Sequence, residues 1–450
     1  MPLKYYSNQS ILRIFSLFIS LVFITCLSCN KITYDDGSTI DTDISITSLK
    51  PSHGPFDTID TLTGKGFDKI PEFDSVMLNG KKLTLISKSP TQVIVRIPSL
   101  AGTGNIDIWY QGKLIRGPVF TYDSLLFVST LAGSSTESGG ADGQGLAARF
   151  NNLQGITLDP QGNIYVVDQF NNSIRKITSG GLVSTLAGGL NVNNGFANGS
   201  GAVARFSHPT GITMGTDGFL YVGDQFNYKV RQISLAGQVS TKAGVSWNLG
   251  PLSGQIDGDI SVATFNTPSG LTTDQQKNVY VADAYNNKIR KITPAGIVST
   301  YAGVDYYNLG HKDGPAATAL FMNPFAIASD VSGNLYVIDG DAHWLRKIST
   351  DGIVSTLLGP EEPAITGYDE LFSTYALALD KNGNLFFSIK VGIIKMTPDG
   401  TIIRYATGGI GNSDGPSTLA TYSYIRGIAI DDAGTLYITD NHRVRKIAWQ

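Results

Sequence analysis

One stretch decides the fold: Gly155-Ile-Thr-Leu-Asp-Pro-Gln-Gly-Asn-Ile-Tyr-Val-Val-Asp-Gln-Phe-Asn-Asn-Ser-Ile-Arg-Lys-Ile177. Its β-branched and aromatic residues form three short runs, at Ile156–Leu158, Ile164–Val167 and Ile174–Ile177. Between the first two runs, Asp-Pro-Gln-Gly-Asn has the composition of a tight turn. The stretch therefore predicts three antiparallel strands joined by short connections.

The stretch recurs five more times along the chain. Its second strand, of the form Tyr-Val-x-Asp, starts at Tyr165, Tyr221, Tyr280, Tyr336, Phe386 and Tyr437, at spacings of 56, 59, 56, 50 and 51 residues. A fourth strand follows across a small turn, as in Leu182–Ala187. Four antiparallel strands repeated about every fifty residues are typical of the blades of a β-propeller.

The two ends of the repeat region are complementary. The chain ends on a third strand, Val444–Ala448, and an additional fourth strand, Phe127–Ala132, precedes the first complete repeat. If the early strand completes the last blade, no unpaired sheet edge remains at the junction. We therefore expect an all-β chain whose region 123–450 is a six-bladed β-propeller closed by its N-terminal strand.

These residues resemble the NHL-repeat family over roughly 126–450. The resemblance depends on the repeated Gly-Ile, Tyr-Val-x-Asp, Ile-Arg-Lys-Ile and Val-Ser-Thr-x-Ala-Gly blocks. It implies a propeller, but it does not decide the activity, because related propellers serve both as enzymes and as binding platforms.

Residues 45–122 have a different pattern. Short alternating runs at Thr58–Thr63, Ser75–Leu78, Leu83–Ile86, Gln92–Ile97 and Asn105–Tyr110 are separated by turn residues, which predicts a small β-sandwich. Pro51, Gly54, Gly64-Lys-Gly66-Phe67, Asn79-Gly80 and the Val93–Pro98 strand resemble the IPT/TIG family of immunoglobulin-like domains. The resemblance implies a spacer or adhesion module without catalytic residues.

The start of the chain has the pattern of an export signal. Lys4 and Arg13 precede the apolar run Ile14–Thr25, so we expect residues 1–28 to be a signal peptide. Leu27-Ser28-Cys29 resembles a bacterial lipoprotein signal, which implies lipidation at Cys29; a plain secretory signal and an uncleaved anchor are the alternatives. Residues 29–44 are acidic and would form a tether. The expected location is the bacterial envelope, in the outer membrane and at the cell surface.

Acids and arginines recur at fixed places in the repeats. Second strands end in Asp168, Asp224, Asp283, Asp339 and Asp440, and third strands carry Arg175, Arg231, Arg290, Arg346 and Arg445. In the fifth repeat Ile389 and Ile394 replace both members. This joint loss favours buried structural ion pairs over a ring of ligand-binding acids, because losing a single member would leave a buried charge unpaired.

The connections between repeats are long, as in Gly188–Thr210, and we expect them to share one face with the hairpins between second and third strands. We call this the long-loop face. Its exposed-ring candidates for ligand binding are Trp247, Tyr306, Tyr307, Phe170, Phe226, Tyr285 and Trp344. Phe170, Phe226 and Tyr285 occupy equivalent positions and could instead fold over their own blades. The Phe150, Phe206, Phe265, Phe321, Phe372 and Tyr422 series is expected to pack between blades.

No catalytic set is recognisable in the sequence. The propeller histidines His208, His311, His343 and His442 come from separate blades without metal-ligand spacing, and Asp142, Asp257, Asp313 and Asp414 are interpreted as turn residues. We therefore predict no metal and no cofactor. Charged residues make up 16% of the chain, with a net charge of −3 and no basic block, which argues against nucleic acid. The predicted partner is an extracellular glycan or protein; a metal-dependent lyase or lactonase is the alternative.

Overall fold

The computed structural model describes residues 44–54, 58–98, 101–189, 194–247, 250–304, 310–340, 344–359, 375–390 and 392–450, with only the backbone at 246, 247, 250 and 251. The chain divides into two compact units between Tyr122 and Asp123. Cys29 and the predicted signal and tether lie outside the described residues, apart from residue 44. Among the residues that the structure describes, no helix has the length and apolar character needed to cross a membrane.

The first unit is a β-sandwich of two sheets. One sheet has the strand order Ser45–Lys50, Ile59–Lys65, Gln92–Arg96, Thr84–Lys88. The other has the order His53–Gly54, Lys113–Tyr122, Gly104–Tyr110, Ser75–Leu78, Lys81–Lys82. A single 3₁₀ turn, Phe67–Lys69, is described between strands of the two sheets. Alternate residues such as Val93, Val95, Ile106 and Ile108 are fully buried, as the period-two pattern predicts.

The second unit consists of six blades, each an antiparallel sheet whose strands follow one another in sequence. The first strands are Leu153–Leu158, Pro209–Met214, Pro268–Thr273, Pro324–Ser329, Leu377–Leu379 and Ile425–Ile430. The second strands are Ile164–Asp168, Phe219–Asp224, Val279–Asp283, Leu335–Asp339, Leu385–Ile389 and Leu436–Asp440. The third strands are Ser173–Ile177, Lys229–Ser234, Lys288–Ile292, Trp344–Ile348, Gly392–Met396 and Arg443–Trp449. The fourth strands are Leu182–Ala187, Gln238–Ala243, Ile297–Ala302, Ile353–Leu358, Ile402–Thr407 and, from the N-terminal side, Leu126–Gly133. The all-β class and the six blades are confirmed.

The offset closure of the ring is also confirmed. The strand Leu126–Gly133 runs antiparallel to Arg443–Trp449, with Val128 opposite Ile447 and Thr130 opposite Arg445. Backbone bonds between Leu125 and Gln450, in both directions, extend the pairing by one residue. Blade six therefore joins the two ends of the propeller in one sheet.

Among the residues that the structure describes, five blades carry an additional outer strand that the sequence did not predict. Each is a two-residue segment of the connection that precedes the blade, paired with the start of that blade's fourth strand: Gly143–Gln144, Gly199–Ser200, Gly258–Asp259, Gly314–Pro315 and Gly415–Pro416. The connections therefore run along the outer edges of the blades for part of their length.

Small residues allow the six first strands to approach one another around the propeller axis. Each first strand has a buried aliphatic residue near its centre. The residue directly before it is small in every blade: Gly155, Gly211, Gly270, Ala326, Ala376 or Gly427. A Cβ atom at Gly211 would lie 2.2 Å from the carbonyl oxygen of Ser269 on the next blade, and one at Gly155 would lie 2.9 Å from that of Thr210. The first strands consequently enclose a narrow central channel.

Candidate functional site

The first strands of all six blades line a channel of about 800 Å³ along the propeller axis. In five blades the first strand begins beside the acid that ends the second strand; Pro324 is opposite Asp339, and Ile425 is opposite Asp440. The N-terminal ends of the first strands therefore lie at the same end of the channel as the hairpins between second and third strands. This end lies towards the long-loop face, and we call it the channel mouth. At the opposite end the lining of the channel continues into the turns between first and second strands, at residues 159–162, 215–216 and 431–433.

One rung of side chains surrounds the channel mouth, with one residue from each blade. The rung consists of Gln154, Thr210, Ser269, Phe325, Tyr375 and Arg426. Blades one to three contribute small or amide-bearing polar side chains, whereas blades four to six contribute two aromatic rings and a guanidinium. The mouth is therefore asymmetric, with a polar half and a half that is aromatic and cationic.

The aromatic half is a continuous run of rings across three blades. Phe325 meets Tyr375 edge to face, with ring centroids 5.6 Å apart. Tyr375 in turn stacks on Tyr424, which lies two residues before Arg426, at 5.7 Å and an interplanar angle of 24°. The ring of Tyr424 is 45% exposed. We call Phe325, Tyr375 and Tyr424 the mouth aromatics.

The guanidinium of Arg426 lies against this run. Its central carbon is 3.8 Å from the ring centroid of Tyr375 and 4.2 Å from that of Tyr424. Its Nε is buried and has no hydrogen-bond partner, and no hydrogen bond or ion pair joins Arg426 to any of the described residues. Burial lowers the pKa of Arg426, because a charged group is less stable away from water. The two rings hold the cation through cation–π contacts.

Three of the predicted ligand-binding rings lie on the hairpins of the long-loop face. Phe170, Phe226 and Tyr285 occupy 3₁₀ turns at the ends of second strands, and each is at least half exposed. Phe170 and Phe226 both contact the ring of His208, at centroid distances of 6.1 and 4.8 Å. Their exposure leaves them free for a ligand, and that role stays a prediction.

The other predicted rings are placed differently or not described. Trp344 begins the third strand of blade four and stacks on His311 at 4.7 Å, so part of its ring is covered. Trp247 belongs to the short strand Ser246–Trp247, of which only the backbone is described. Tyr306, Tyr307, His343 and Phe372 lie outside the described residues.

The repeated acids and arginines form fully buried pairs. The shortest distance between Arg Nη1 and Asp Oδ2 is 2.6 Å for Asp168–Arg175, 2.6 Å for Asp224–Arg231, 2.8 Å for Asp283–Arg290, 3.0 Å for Asp339–Arg346 and 2.9 Å for Asp440–Arg445. None of these side chains is exposed. Each guanidinium also lies about 5 Å over the ring of the Phe150 series, as Arg290 does over Phe265 at 5.1 Å. The pairs lie within the blades and do not line the channel.

The interpretation of Asp142, Asp257, Asp313 and Asp414 as turn residues alone was wrong. Their carboxylates bind the same arginines from the outer side, with Nη2–Oδ1 distances of 2.6 to 2.9 Å. They also accept a backbone N–H from the fourth strand, as Asp257 does from Thr300. In blade two Asn198 takes this place. Four arginines therefore each bridge two carboxylates, which ties the outer connection to the blade.

Blade five replaces this network with apolar packing. Ile389 and Ile394 are 2% and 1% exposed and pack with Phe387, Leu385 and Met396. The strand pairing places Phe387 opposite Ile394, as it places Val281 opposite Arg290 in blade three. Ile394 therefore occupies the position that the arginine has in the other blades. Ile389 replaces the acid, so both members of the ion pair are replaced together in blade five.

The described histidines take part in local packing. His442 accepts a hydrogen bond from the backbone N–H of Asn152 on blade one, and His311 Nδ1 lies 3.1 Å from Asp339 Oδ2. Within the described ranges, no three His, Cys, Asp or Glu side chains are grouped so that they could hold a metal ion.

Comparison of the six repeats could have found the mouth residues that our sequence analysis missed. Phe325, Tyr375, Tyr424 and Arg426 are not in the strongly repeated columns, and for this reason they were passed over. The signal is a column that changes from Gln, Thr and Ser in the first three repeats to Phe, Tyr and Arg in the last three. The next position is Gly or Ala in all six repeats. A neighbouring position that varies in this way does not have the same structural role in every blade.

Comparison with known proteins identifies both units. An IPT/TIG domain matches residues 45–123, and an NHL repeat matches residues 265–292. The chain is similar to NHL repeat-containing protein 2 of Gallus gallus, with 31% identity over 171 residues, covering 35% of this chain and 23% of the relative. It is similar to Teneurin-4 of Mus musculus, with 30% identity over 227 residues, covering 44% of this chain and 8% of the relative. The chain spans less than a quarter of the length of these curated relatives.

A solved structure shares the fold of both units. It is the auxiliary nutrient binding protein from Bacteroides ovatus ATCC 8483, with 16% identity, a TM-score of 0.59, and coverage of 91% of this chain and 99% of that protein. Together these findings establish an IPT/TIG domain followed by a β-propeller of NHL repeats.

Proposed function

We propose that this chain is an envelope lipoprotein, anchored through Cys29, whose propeller binds an extracellular glycan at the channel mouth. The export pattern of residues 1–28, with its lipoprotein-like end, supports the anchor. The resemblance to IPT/TIG domains implies a spacer or adhesion module without catalytic residues. This resemblance supports the role of the first unit as a spacer between the tether and the propeller. The Bacteroides ovatus structure of the same fold is described as an auxiliary nutrient binding protein, and a binding role of that kind agrees with the proposal.

The observation that carries the proposal is the run of mouth aromatics at one end of the channel, where Tyr424 is 45% exposed. Sugar rings present flat apolar faces that stack on aromatic side chains, and their hydroxyls need hydrogen-bonding groups nearby. Phe325, Tyr375 and Tyr424 offer such faces, and the polar side chains of Gln154 and Thr210, which are largely buried, belong to the same rung. A channel of about 800 Å³ is within the range of known ligand sites.

We expect the double change Tyr375→Ala and Tyr424→Ala to weaken glycan binding without unfolding the propeller. An aromatic contact contributes about 0.5–1.5 kcal/mol beyond area burial, so the loss of two should reduce affinity about 5- to 150-fold. A glycan array identifies the ligand and titration calorimetry measures its affinity. Phe219→Ala is the matched control, because Phe219 is 37% exposed at the opposite end of a second strand. Asp217 and Asp399, in tight turns of that opposite face, provide further controls.

A second set of variants decides how far the site extends. Removing Trp247, Tyr306 and Tyr307 together should weaken binding further if the long connections contribute to the same site. If neither set changes the affinity, or if Phe219→Ala is the sensitive change, the channel mouth is not the glycan site. If the chain binds proteins and no glycan, the partner is a protein. Turnover of a lactone or polysaccharide by the metal-loaded chain would replace binding with the lyase or lactonase alternative.

A further inference from the structure

Arg426 differs electrostatically from the buried arginines within the blades. Arg175, Arg290, Arg346 and Arg445 each bind two carboxylates, and Arg231 binds one carboxylate and one amide oxygen. Arg426 has no anion among the described residues, although its Nε is buried. A partly buried cation without an anion is costly, and the two tyrosine rings compensate for it only in part. The buried arginines that hold the blades together, by contrast, each bind at least one carboxylate.

The surroundings of Arg426 also favour a ligand over a packing role. Its side chain lines the channel instead of the space between blades, and the equivalent positions in blades one to three are neutral. The rings of Tyr375 and Tyr424 restrict the guanidinium, whose central carbon lies 3.8 and 4.2 Å from their centroids. A fixed guanidinium has less conformational freedom to lose when it forms a forked pair of hydrogen bonds with a carboxylate. In a partly enclosed mouth, such a pair is stronger than in open water.

We propose that Arg426 binds a carboxylate of the ligand while Tyr375 and Tyr424 contact its ring, so that the channel mouth is selective for uronic-acid sugars. This inference depends on the proposed glycan-binding function and specifies its substrate class. The guanidinium provides the two parallel donors that a carboxylate accepts. Tyr424, which is 45% exposed, offers a ring face beside those donors. A sugar that carries its carboxylate on the ring satisfies both features at once, whereas a neutral sugar leaves Arg426 without an anion.

The experiment compares acidic glycans with their neutral counterparts on the two-domain chain. The probes are polygalacturonate, polyglucuronate and alginate, each with a carboxyl-reduced form of the same chain. We expect at least one acidic polymer to bind about 10- to 100-fold more tightly than its reduced form, the range for hydrogen bonds to a charged group. Arg426→Gln should remove this difference by lowering affinity for the acidic form alone. Arg426→Lys, which keeps the charge but lacks the fork, should fall between the two.

The controls separate binding from folding. Arg404→Gln, at an exposed arginine on the fourth strand of blade five, should leave both affinities unchanged. Because Arg426 has no anion to lose among the residues that the structure describes, Arg426→Gln should be at least as heat-stable as the parent. Binding of the acidic form should weaken with salt in the parent and lose that dependence in Arg426→Gln.

The outcomes distinguish this inference from the proposed function. Equal binding of acidic and reduced polymers, through the mouth aromatics but independent of Arg426, would overturn the inference and leave glycan binding standing. Binding of no glycan would overturn both, and tight binding of an acidic peptide in its place would make the anionic partner a protein. A large loss of heat stability in Arg426→Gln would show that Arg426 is a structural residue.

Discussion

A propeller that begins after Gly133 should fail to form a stable monomer, whereas one that begins at Asp123 should fold. The deletion removes the strand Leu126–Gly133, which supplies the fourth strand of blade six and pairs with Arg443–Trp449 along its whole length. It also removes the buried side chains of Leu126 and Val128. Burial of one such side chain contributes about 1.5–3 kcal/mol, and a whole domain is stable by only about 5–15 kcal/mol. The unpaired edge of blade six would in addition favour aggregation.

Circular permutation provides the matched rescue. Leu125 and Gln450 are paired by backbone hydrogen bonds in both directions, so the chain end lies beside the start of the missing strand. A chain that begins at residue 134 and continues from Gln450 through Asn-Gly into Leu125–Gly133 would make this connection with a two-residue hairpin turn. We expect the permutant to recover the melting temperature of the 123–450 fragment, and the same chain with a scrambled final strand to remain unstable. A 134–450 fragment as stable as the 123–450 fragment would contradict the closure by this strand.

Repetition explains why so much of the propeller could be predicted from the sequence. Each of the second strands is a short apolar run, and six copies average out local exceptions such as Phe386. The closure followed from counting strands at the two ends, because an incomplete blade has an unpaired edge. The outer strands could not be predicted in this way. Segments such as Gly143–Gln144 and Gly314–Pro315 are two residues long and have no periodicity, so only their partners define them.

The candidate site was less predictable because it depends on where the repeats differ. The acids of the outer connections recur 33 residues before the arginine in three blades, as Asp257 does before Arg290, and this constant spacing could have indicated their pairing. The mouth residues give a weaker signal. Tyr375 and Arg426 are 51 residues apart in sequence and meet only because the ring places blades five and six side by side. Contacts of that kind are decided by the register of the strands.

The buried ion pairs of the blades should be strongly destabilised by single changes and much less by a double change. Asp283 accepts hydrogen bonds from Arg290, from the side chain of Asn286 and from the backbone N–H of Asn266. Asp283→Ala or Arg290→Ala should each lower the free energy of unfolding by about 3–5 kcal/mol, because the remaining partner is left buried. Asp283→Ile with Arg290→Ile copies Ile389 and Ile394 of blade five and should recover much of that loss. Chemical denaturation of the four proteins measures the differences.

Comparison with blade five also indicates why the recovery should be incomplete. The double change leaves Asp257 without its arginine, and it leaves the backbone carbonyls of Thr264 and Ile256, which Arg290 now satisfies, without a donor. Adding Asp257→Asn, the residue type found at Asn198 of blade two, should recover more of the stability. The surface pair Arg149–Glu137 is the matched control, since its carboxylate is 64% exposed. Glu137→Ala should cost no more than about 1 kcal/mol.

The pH dependence of Arg290→Ala provides an independent test of the buried carboxylate. Burial already raises the pKa of Asp283 to about 6, against the opposing charge of Arg290. Without the arginine the pKa of Asp283 in the folded state should rise further. In the unfolded state the same carboxyl binds a proton only near its ordinary pKa, about 4. Since the folded state then binds more protons, stability increases as the pH falls. The deficit of Arg290→Ala relative to the parent should therefore shrink between pH 7 and pH 5. A deficit that grows over this range, or a double variant no more stable than the single ones, would contradict the view that these pairs are structural and mutually dependent.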